Sequence, residues 1–279
     1  MSGRPYAEVI GDPIAHSKSP TIHNFWLSKL GIDAEYRACH VRAGELDAYF
    51  TRRRADPAWR GCNITLPHKV AALSHVFHVD PVAQRIGAIN TVRRSGWEII
   101  GFNTDTDGIC QALYEGGEPK AEKVCLIGTG GAARAAMSEL KDFGVKHVNV
   151  VCRSLDRGKK LLQDFKQKGS VTSFEQAAVA LTDADYLVNA SSLGMSGQAP
   201  MPVTVIDSLR FMHSDAFLFD MVYTPLETAL VRAAHANGLR TVDGLVMLLN
   251  QASRAFDEIF KPVRRPNPDD PELRALLTA

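Results

Sequence analysis

The sequence predicts an α/β protein of two domains. Three observations carry that prediction. The chain has 279 residues, against roughly 100–200 for one domain. Short apolar runs alternate with helical patterns along most of its length, as βα units do. One run, Val124-Cys125-Leu126-Ile127, ends in the glycine-rich turn Gly128-Thr129-Gly130-Gly131-Ala132-Ala133, and a helical pattern follows.

The elements read in order as follows. Ala7 to Ile10 is an apolar strand closed by Gly11-Asp12-Pro13. Pro20 to Leu30 is a helix, with proline in its first turn and Gly31 at its stop. Glu35 to Val41 is a strand, Glu45 to Arg53 a helix, Gly61 to Thr65 a strand and Lys69 to His75 a short helix. Ala88 to Val92 and Trp97 to Ile100 form a hairpin around Ser95-Gly96. A helix follows Thr104. Then come strands at Lys123 to Ile127, His147 to Cys152, Tyr186 to Ala190, Phe217 to Phe219 and Arg240 to Val242. Helices at Ala132 to Phe143, Leu155 to Lys166 and Leu226 to Ala236 separate them. Such alternation predicts parallel sheets covered on both faces. The last long helix is Leu245 to Phe260, and the proline-rich tail from Pro262 reads as turn-rich and peripheral. The domain boundary falls near Thr104, giving domains of residues 1–104 and 105–244. Residues 245–279, with the final helix, are expected to return to the first.

Composition narrows the function classes. A formal charge of +1, from 32 basic and 31 acidic residues, gives no field to draw nucleic acid or an anionic membrane, so neither partner is favoured. Five scattered cysteines contain no C-x-x-C pair, which argues against a zinc ribbon and for reduced thiols in a cytoplasm. The N-terminus, Met-Ser-Gly-Arg-Pro-Tyr-Ala-Glu, has no apolar leader. No apolar run reaches the roughly 18–20 residues of a membrane helix. His75 and His78 lack companion ligands, so no metal is expected.

The turn Gly128 to Ala133 is G-x-G-x-x-A between strand and helix. The first glycine permits the tight turn, the second lets backbone approach a pyrophosphate, and small Ala133 allows close helix–strand packing. The helix N-terminus supplies N–H groups for phosphates. This predicts a Rossmann-type dinucleotide-binding domain. Cofactor choice is read about 20 residues on. The next strand, Val148 to Cys152, ends without an acid, and Arg153, Ser154 and Arg157 follow. Two guanidinium groups and a hydroxyl suit the 2′-phosphate of NADP. Solvated charges beside Lys159 and Lys160 are the alternative, and Asp156 opposes a phosphate unless it only caps a helix.

Three polar clusters follow strands in the first domain. His16-Ser17-Lys18-Ser19-Pro20 offers two hydroxyls at a helix start, which can cradle a carboxylate or simply cap the helix through Ser19. Asn63-Ile64-Thr65-Leu66-Pro67-His68-Lys69 brings a lysine to a turn. Gly101 to Gly108 carries Asp105 and Asp107, either of which can cap the next helix. Asn90-Thr91 adds an amide. Reduction of a ketone by hydride needs a proton donor at the developing alkoxide, and a lysine held by a carboxylate suits it. Lys69 and Asp105 are the expected pair. His16 and His68 read as local supports.

The order of these motifs closely resembles the shikimate dehydrogenase family, which includes shikimate and quinate dehydrogenases. The resemblance runs from Gly11 to about Phe260. It rests on Gly11 to Pro20, Asn63 to Lys69, Gly101 to Asp105, Asn189 to Met195, Asp220 to Pro225 and Asp243 to Ala252. It implies an NADPH-dependent reduction of 3-dehydroshikimate to shikimate in aromatic amino acid biosynthesis. It also implies an N-terminal substrate-binding α/β domain, a Rossmann domain and a cleft between them. Lys69 and Asp105 would be the catalytic pair. Ser17, Ser19, Asn63, Thr65, Asn90, Tyr223 and Gln251 would bind substrate. Gly128, Thr129, Gly130, Gly131 and Ala132 would hold the pyrophosphate, Arg153, Ser154 and Arg157 the 2′-phosphate, and Met221 and Gly244 would lie near the nicotinamide. One departure stands out: Cys152 replaces the asparagine that usually precedes the first arginine. A quinate-preferring relative, or a non-catalytic sensor on the same fold, would share much of this pattern. A sensor, however, has no need of the Lys69–Asp105 pair. A monomer or homodimer is expected.

Overall fold

The computed structural model describes residues 3–117 and 122–278. Met1 and Ser2 of the N-terminal stretch, and Ala279 of the C-terminal segment, lie outside the described residues. The chain divides into two compact units, Met1–Asp105 with Leu249–Ala279, and Thr106–Leu248.

The first unit is built on β1 (Tyr6–Gly11), α1 (Ser19–Lys29), β2 (Glu35–His40), α2 (Leu46–Ala55), β3 (Trp59–Ile64), β4 (His78–Val79), α3 (Pro81–Ile86), β5 (Thr91–Ser95) and β6 (Glu98–Phe102). Its sheet has the order β2-β1-β3-β5-β6-β4 and is mixed, not parallel throughout. β5 runs antiparallel to both β3 and β6; the two-residue turn Gly96-Trp97 returns the chain directly from β5 into β6, and Gly96 supplies the positive φ of 65° that such a turn needs. Tyr6, Ile10, Tyr49, Phe50, Trp59 and Ile64 form the core between this sheet and α2.

The second unit contains α4 (Asp105–Glu115), β7 (Lys123–Ile127), α5 (Gly131–Asp142), β8 (His147–Val151), α6 (Leu155–Phe165), β9 (Val171–Thr172), α7 (Ala177–Leu181), β10 (Tyr186–Asn189), α8 (Val203–Ser208), β11 (Phe217–Asp220), α9 (Ala229–Ala236), β12 (Arg240–Val242) and the start of α10 (Gly244–Phe260). Its sheet, β12-β11-β10-β7-β8-β9, is parallel in every pairing. The strands are buried on both sides, as an α/β sheet covered by helices requires.

Several elements differ from the sequence reading. α3 escapes a periodicity search because it has six residues, although Asp80 accepts from the Val82 N–H and Gly87 closes the helix in the left-handed region. β4, β9, α7 and α8 are likewise too short to show a period. Lys69 and Val70 lie in a turn, and only Ala71–His75 winds, as a 3-10 helix. α9 starts at Ala229 rather than Leu226, because the Thr228 hydroxyl accepts from the Val231 N–H and sets the N-terminus there. The tail is not peripheral. It forms α11 (Pro271–Thr278), which buries Leu273 and Leu277. Asp270 pairs with Lys29 of α1 at 2.5 Å, and Lys18 Nζ donates to the Leu277 carbonyl at 2.6 Å.

Candidate active site

Strand direction gathers the polar segments of the first unit at one edge of its sheet. β1, β3 and β6 point the same way and β5 opposes them, so the C-terminal ends of the first three meet the start of β5. Asn63, Thr91 and Phe102 lie side by side in register. The loop after β1 is tied to the loop after β3: Thr65 N–H donates to the Ile10 carbonyl and Asp12 N–H to the Leu66 carbonyl. Gly11 is required here by close approach, since a Cβ would stand 2.5 Å from Thr65 Cγ2 and 2.9 Å from the Leu66 carbonyl oxygen.

Lys69 Nζ meets Asp105 Oδ2 at 2.5 Å, with the side chains 15 % and 4 % exposed. Two residues 36 positions apart in sequence thus form a shielded ion pair. Asp105 heads α4 and its N–H donates to Asn103 Oδ1. Its second oxygen, Oδ1, accepts from Asn90 Nδ2 at 2.9 Å. Asn90 is fixed in turn by the Thr104 N–H, which donates to its Oδ1 at 2.7 Å. Gln251 of α10 brings Oε1 to 3.3 Å from Asn90 Nδ2. Asn63 is buried, with its Oδ1 accepting from Tyr36 and its Nδ2 donating to Thr91.

Ser19 is buried and begins α1, but it does not cap the helix. Lys18 occupies the cap position with no side-chain bond. Ser17 Oγ instead accepts from the Ser19 N–H at 3.3 Å. His68 is local: its Nε2 meets the Val41 carbonyl at 2.6 Å. His75 pairs with Asp47 and His78 with Glu98. Among the described residues no group of three His, Cys, Asp or Glu side chains is placed to hold a metal.

In the second unit, Gly128 has φ of 113°, and a Cβ there would sit 3.0 Å from the Ala190 carbonyl oxygen. Around Gly130 a Cβ would meet nothing within 4 Å, so its backbone is open to a ligand. Gly130 precedes α5 and offers no side-chain acceptor to its first turn. Those N–H groups and that open surface fit a pyrophosphate. Cys152 is buried and its thiol donates to the Ser154 carbonyl at 3.1 Å. Ser154 caps α6, and Arg153, Ser154 and Arg157 are all exposed. Asp156 is exposed and 4.0 Å from Lys159. Two basic side chains therefore stand in solvent at the end of β8, where a 2′-phosphate would be met.

The loops after β10 and β11 are stapled by a residue to which sequence reasoning gave no role of its own. Asp220 is fully buried and accepts from Asn189 Nδ2 at 2.9 Å, from Thr228 Oγ1 at 2.7 Å and from the Val222 N–H at 3.0 Å. Burial raises its pKa despite those three donors. Met221 follows directly. Gly244 packs on the same loop, where a Cβ would lie 2.6 Å from the Val222 and 2.7 Å from the Met221 carbonyl oxygen. Tyr223 belongs to this unit, and desolvation raises its pKa, keeping the phenol protonated.

Residues 9–92 match the family described as the shikimate dehydrogenase substrate binding domain, and residues 111–220 match that described as shikimate / quinate 5-dehydrogenase. The chain belongs to the shikimate dehydrogenase family. The shikimate dehydrogenase (NADP(+)) of Sphingopyxis alaskensis is 47 % identical over 276 residues, which is 99 % of this chain and 97 % of that protein. The crystal structure of shikimate 5-dehydrogenase from Thermus thermophilus in complex with NADP(H) and shikimate superposes with a TM-score of 0.83 at 35 % identity, covering 98 % of each chain. The ligand-free 5-ketofructose reductase of a Gluconobacter strain shares the fold at a TM-score of 0.81 and 28 % identity, covering 99 % of this chain and 98 % of that one. The family membership and the two-domain α/β class expected from the motifs are thus established.

Proposed function

We infer that this protein catalyses the NADP-dependent, reversible reduction of 3-dehydroshikimate to shikimate, a step toward the aromatic amino acids. The observation that carries the reading is the shielded Lys69–Asp105 pair, on the same sheet edge as the serine loop. The close relation to an enzyme named for that activity supports it.

NADPH, when bound, supplies the hydride. The Lys69 ammonium donates a proton to the ketone oxygen as negative charge develops there, and Asp105 fixes the direction of that ammonium. Ser17 and Ser19 hold the substrate carboxylate. Thr65, Asn90, Tyr223 and Gln251 meet its hydroxyls or carboxylate, with Asn63 beneath them. The turn Gly128 to Ala132 at the start of α5 receives the pyrophosphate, and Arg153, Ser154 and Arg157 the 2′-phosphate. Met221 and Gly244 border the nicotinamide end. No metal takes part in this scheme. We take the enzyme to act in the cytoplasm on small molecules, as a monomer or homodimer. The five cysteines, all free thiols, support a reducing compartment.

The test is a spectrophotometric assay of shikimate or quinate with NADP or NAD. Shikimate with NADP is expected to turn over best. Turnover with quinate alone would reassign the substrate, and no turnover with any pair would overturn the reading. Lys69→Ala should lower kcat by roughly 10²–10⁴; undiminished turnover would remove Lys69 as the acid.

A further inference from the structure

The Lys69–Asp105 pair is the end of a longer buried chain, two of whose members, Tyr36 and Thr91, the scheme above leaves idle. Tyr36 on β2 is buried, and its hydroxyl donates to Asn63 Oδ1 at 2.6 Å. Asn63 Nδ2 donates to Thr91 Oγ1 at 2.9 Å. The Thr91 hydroxyl donates to Asn90 Oδ1 at 3.0 Å. Asn90 Nδ2 donates to Asp105 Oδ1 at 2.9 Å, and Lys69 holds the other carboxylate oxygen.

These bonds run one way. A hydroxyl has a single proton, so Thr91 can accept from Asn63 while giving its own proton to Asn90. If the Asn90 amide turned over, its oxygen would face the Asp105 carboxylate. If the Asn63 amide turned over, its oxygen would face Thr91 Oγ1 and its N–H groups the Tyr36 hydroxyl. Thr91 is the middle link. It is fully buried, and the sheet register sets it between Asn63 and Phe102. The head of the chain is also held: Asn24 bonds both the N–H and the carbonyl of Tyr36, at 2.9 and 2.6 Å, and His23 stacks on its ring with centroids 4.0 Å apart.

We propose that Thr91 is a positioning residue, whose hydroxyl orients the Asn63 and Asn90 amides and, through Asn90, aims the Asp105 carboxylate at Lys69. This rests on the reading of Lys69 and Asp105 as the acid–base pair. Thr104 also holds Asn90 Oδ1, through its N–H at 2.7 Å and its hydroxyl at 3.2 Å, and that hydroxyl lies 3.3 Å from Thr91 Oγ1, so loss of the Thr91 hydroxyl loosens Asn90 without freeing it.

The experiment compares Thr91→Val, Thr91→Ser, Tyr36→Phe and the Tyr36→Phe/Thr91→Val double variant in the full-length enzyme, with shikimate and NADP. Thr91→Val should lower kcat about 10-fold and Tyr36→Phe about 3-fold, the scale of one buried hydrogen bond, with the KM for NADP unchanged. Thr91→Ser, which keeps the hydroxyl, should stay within about 2-fold of wild type. The double variant should be no slower than Thr91→Val, because the chain is already cut. Wild-type kcat in Thr91→Val, equal losses in Thr91→Val and Thr91→Ser, or additive losses in the double variant would each overturn the proposal. Should Thr91→Val not fold, an unchanged kcat in Tyr36→Phe overturns it. Lys69→Ala separates the two claims. A slow Lys69→Ala beside a normal Thr91→Val removes only the positioning role, whereas a normal Lys69→Ala removes both.

Discussion

His23 should make this fold sensitive to mild acid. It sits on α1, 1 % exposed, stacked on Tyr36 and on Phe256 and edge-on to Trp26. Its Nδ1 has no hydrogen-bond partner. Burial lowers its pKa to about 3, against about 6.5 in an unfolded chain. Because the folded value is the lower one, the unfolded state takes up a proton first as pH falls. Stability is therefore complete above about pH 6.5, declines below it, and the decline ends near the folded pKa. The slope is about 1.4 kcal/mol per pH unit. At pH 4.5, about two units below the unfolded value, the loss from this residue is about 3 kcal/mol. His23→Phe keeps a ring in the stack and removes the titration. All three tryptophans, Trp26, Trp59 and Trp97, lie in the first unit, so their fluorescence in urea reports the unfolding of that unit. Wild type and variant are compared at about pH 7 and pH 4.5. Carboxylates titrate in both proteins and cancel in the difference. Wild type should lose about 3 kcal/mol more than His23→Phe. Equal losses would mean that His23 accepts a proton inside the fold, and the argument would fail.

Other outcomes follow from the second unit. Arg153→Ala removes one charge-assisted bond to a 2′-phosphate and should raise the KM for NADP roughly 10–100-fold while leaving NAD nearly unaffected; equal losses for both cofactors would show that Arg153 does not read that phosphate. Gly244→Ala would press a methyl against two backbone carbonyl oxygens at 2.6 and 2.7 Å, and the cost of overpacking, about 2–3 kcal/mol, exceeds the gain of at most about 1 kcal/mol in helix propensity. Unchanged urea stability of that variant would show that the Met221–Val222 loop gives way freely.

Much of the site was legible because its signals are local. The turn Gly128 to Ala133 needs only its neighbours to form, and the basic residues after β8 are adjacent in sequence. Ser17, Thr65, Asn90 and Asp105 each follow or begin a strand, where α/β sheets place their polar loops. The chain through Tyr36, Asn63 and Thr91 was not legible. Its members come from β2, β3 and β5, and a threonine or tyrosine in a strand looks like ordinary β propensity. Asp220 was missed as a staple for a similar reason: its partners Asn189 and Thr228 come from either side of β11. α11 was hidden by the prolines before it, since their turn signal is local and the burial of Leu273 and Leu277 is not.

The sequence by itself determined the class of fold, the dinucleotide turn and the residue types of the site, because strand alternation, a glycine turn and helix caps are set by near neighbours. Only tertiary structure decided that the hairpin strand β5 also runs antiparallel beside β3, that Lys69 and Asp105 meet at 2.5 Å, and that one run of donors leads from Tyr36 to that pair. Those facts depend on strand order and register, through which residues far apart in the chain share one sheet edge.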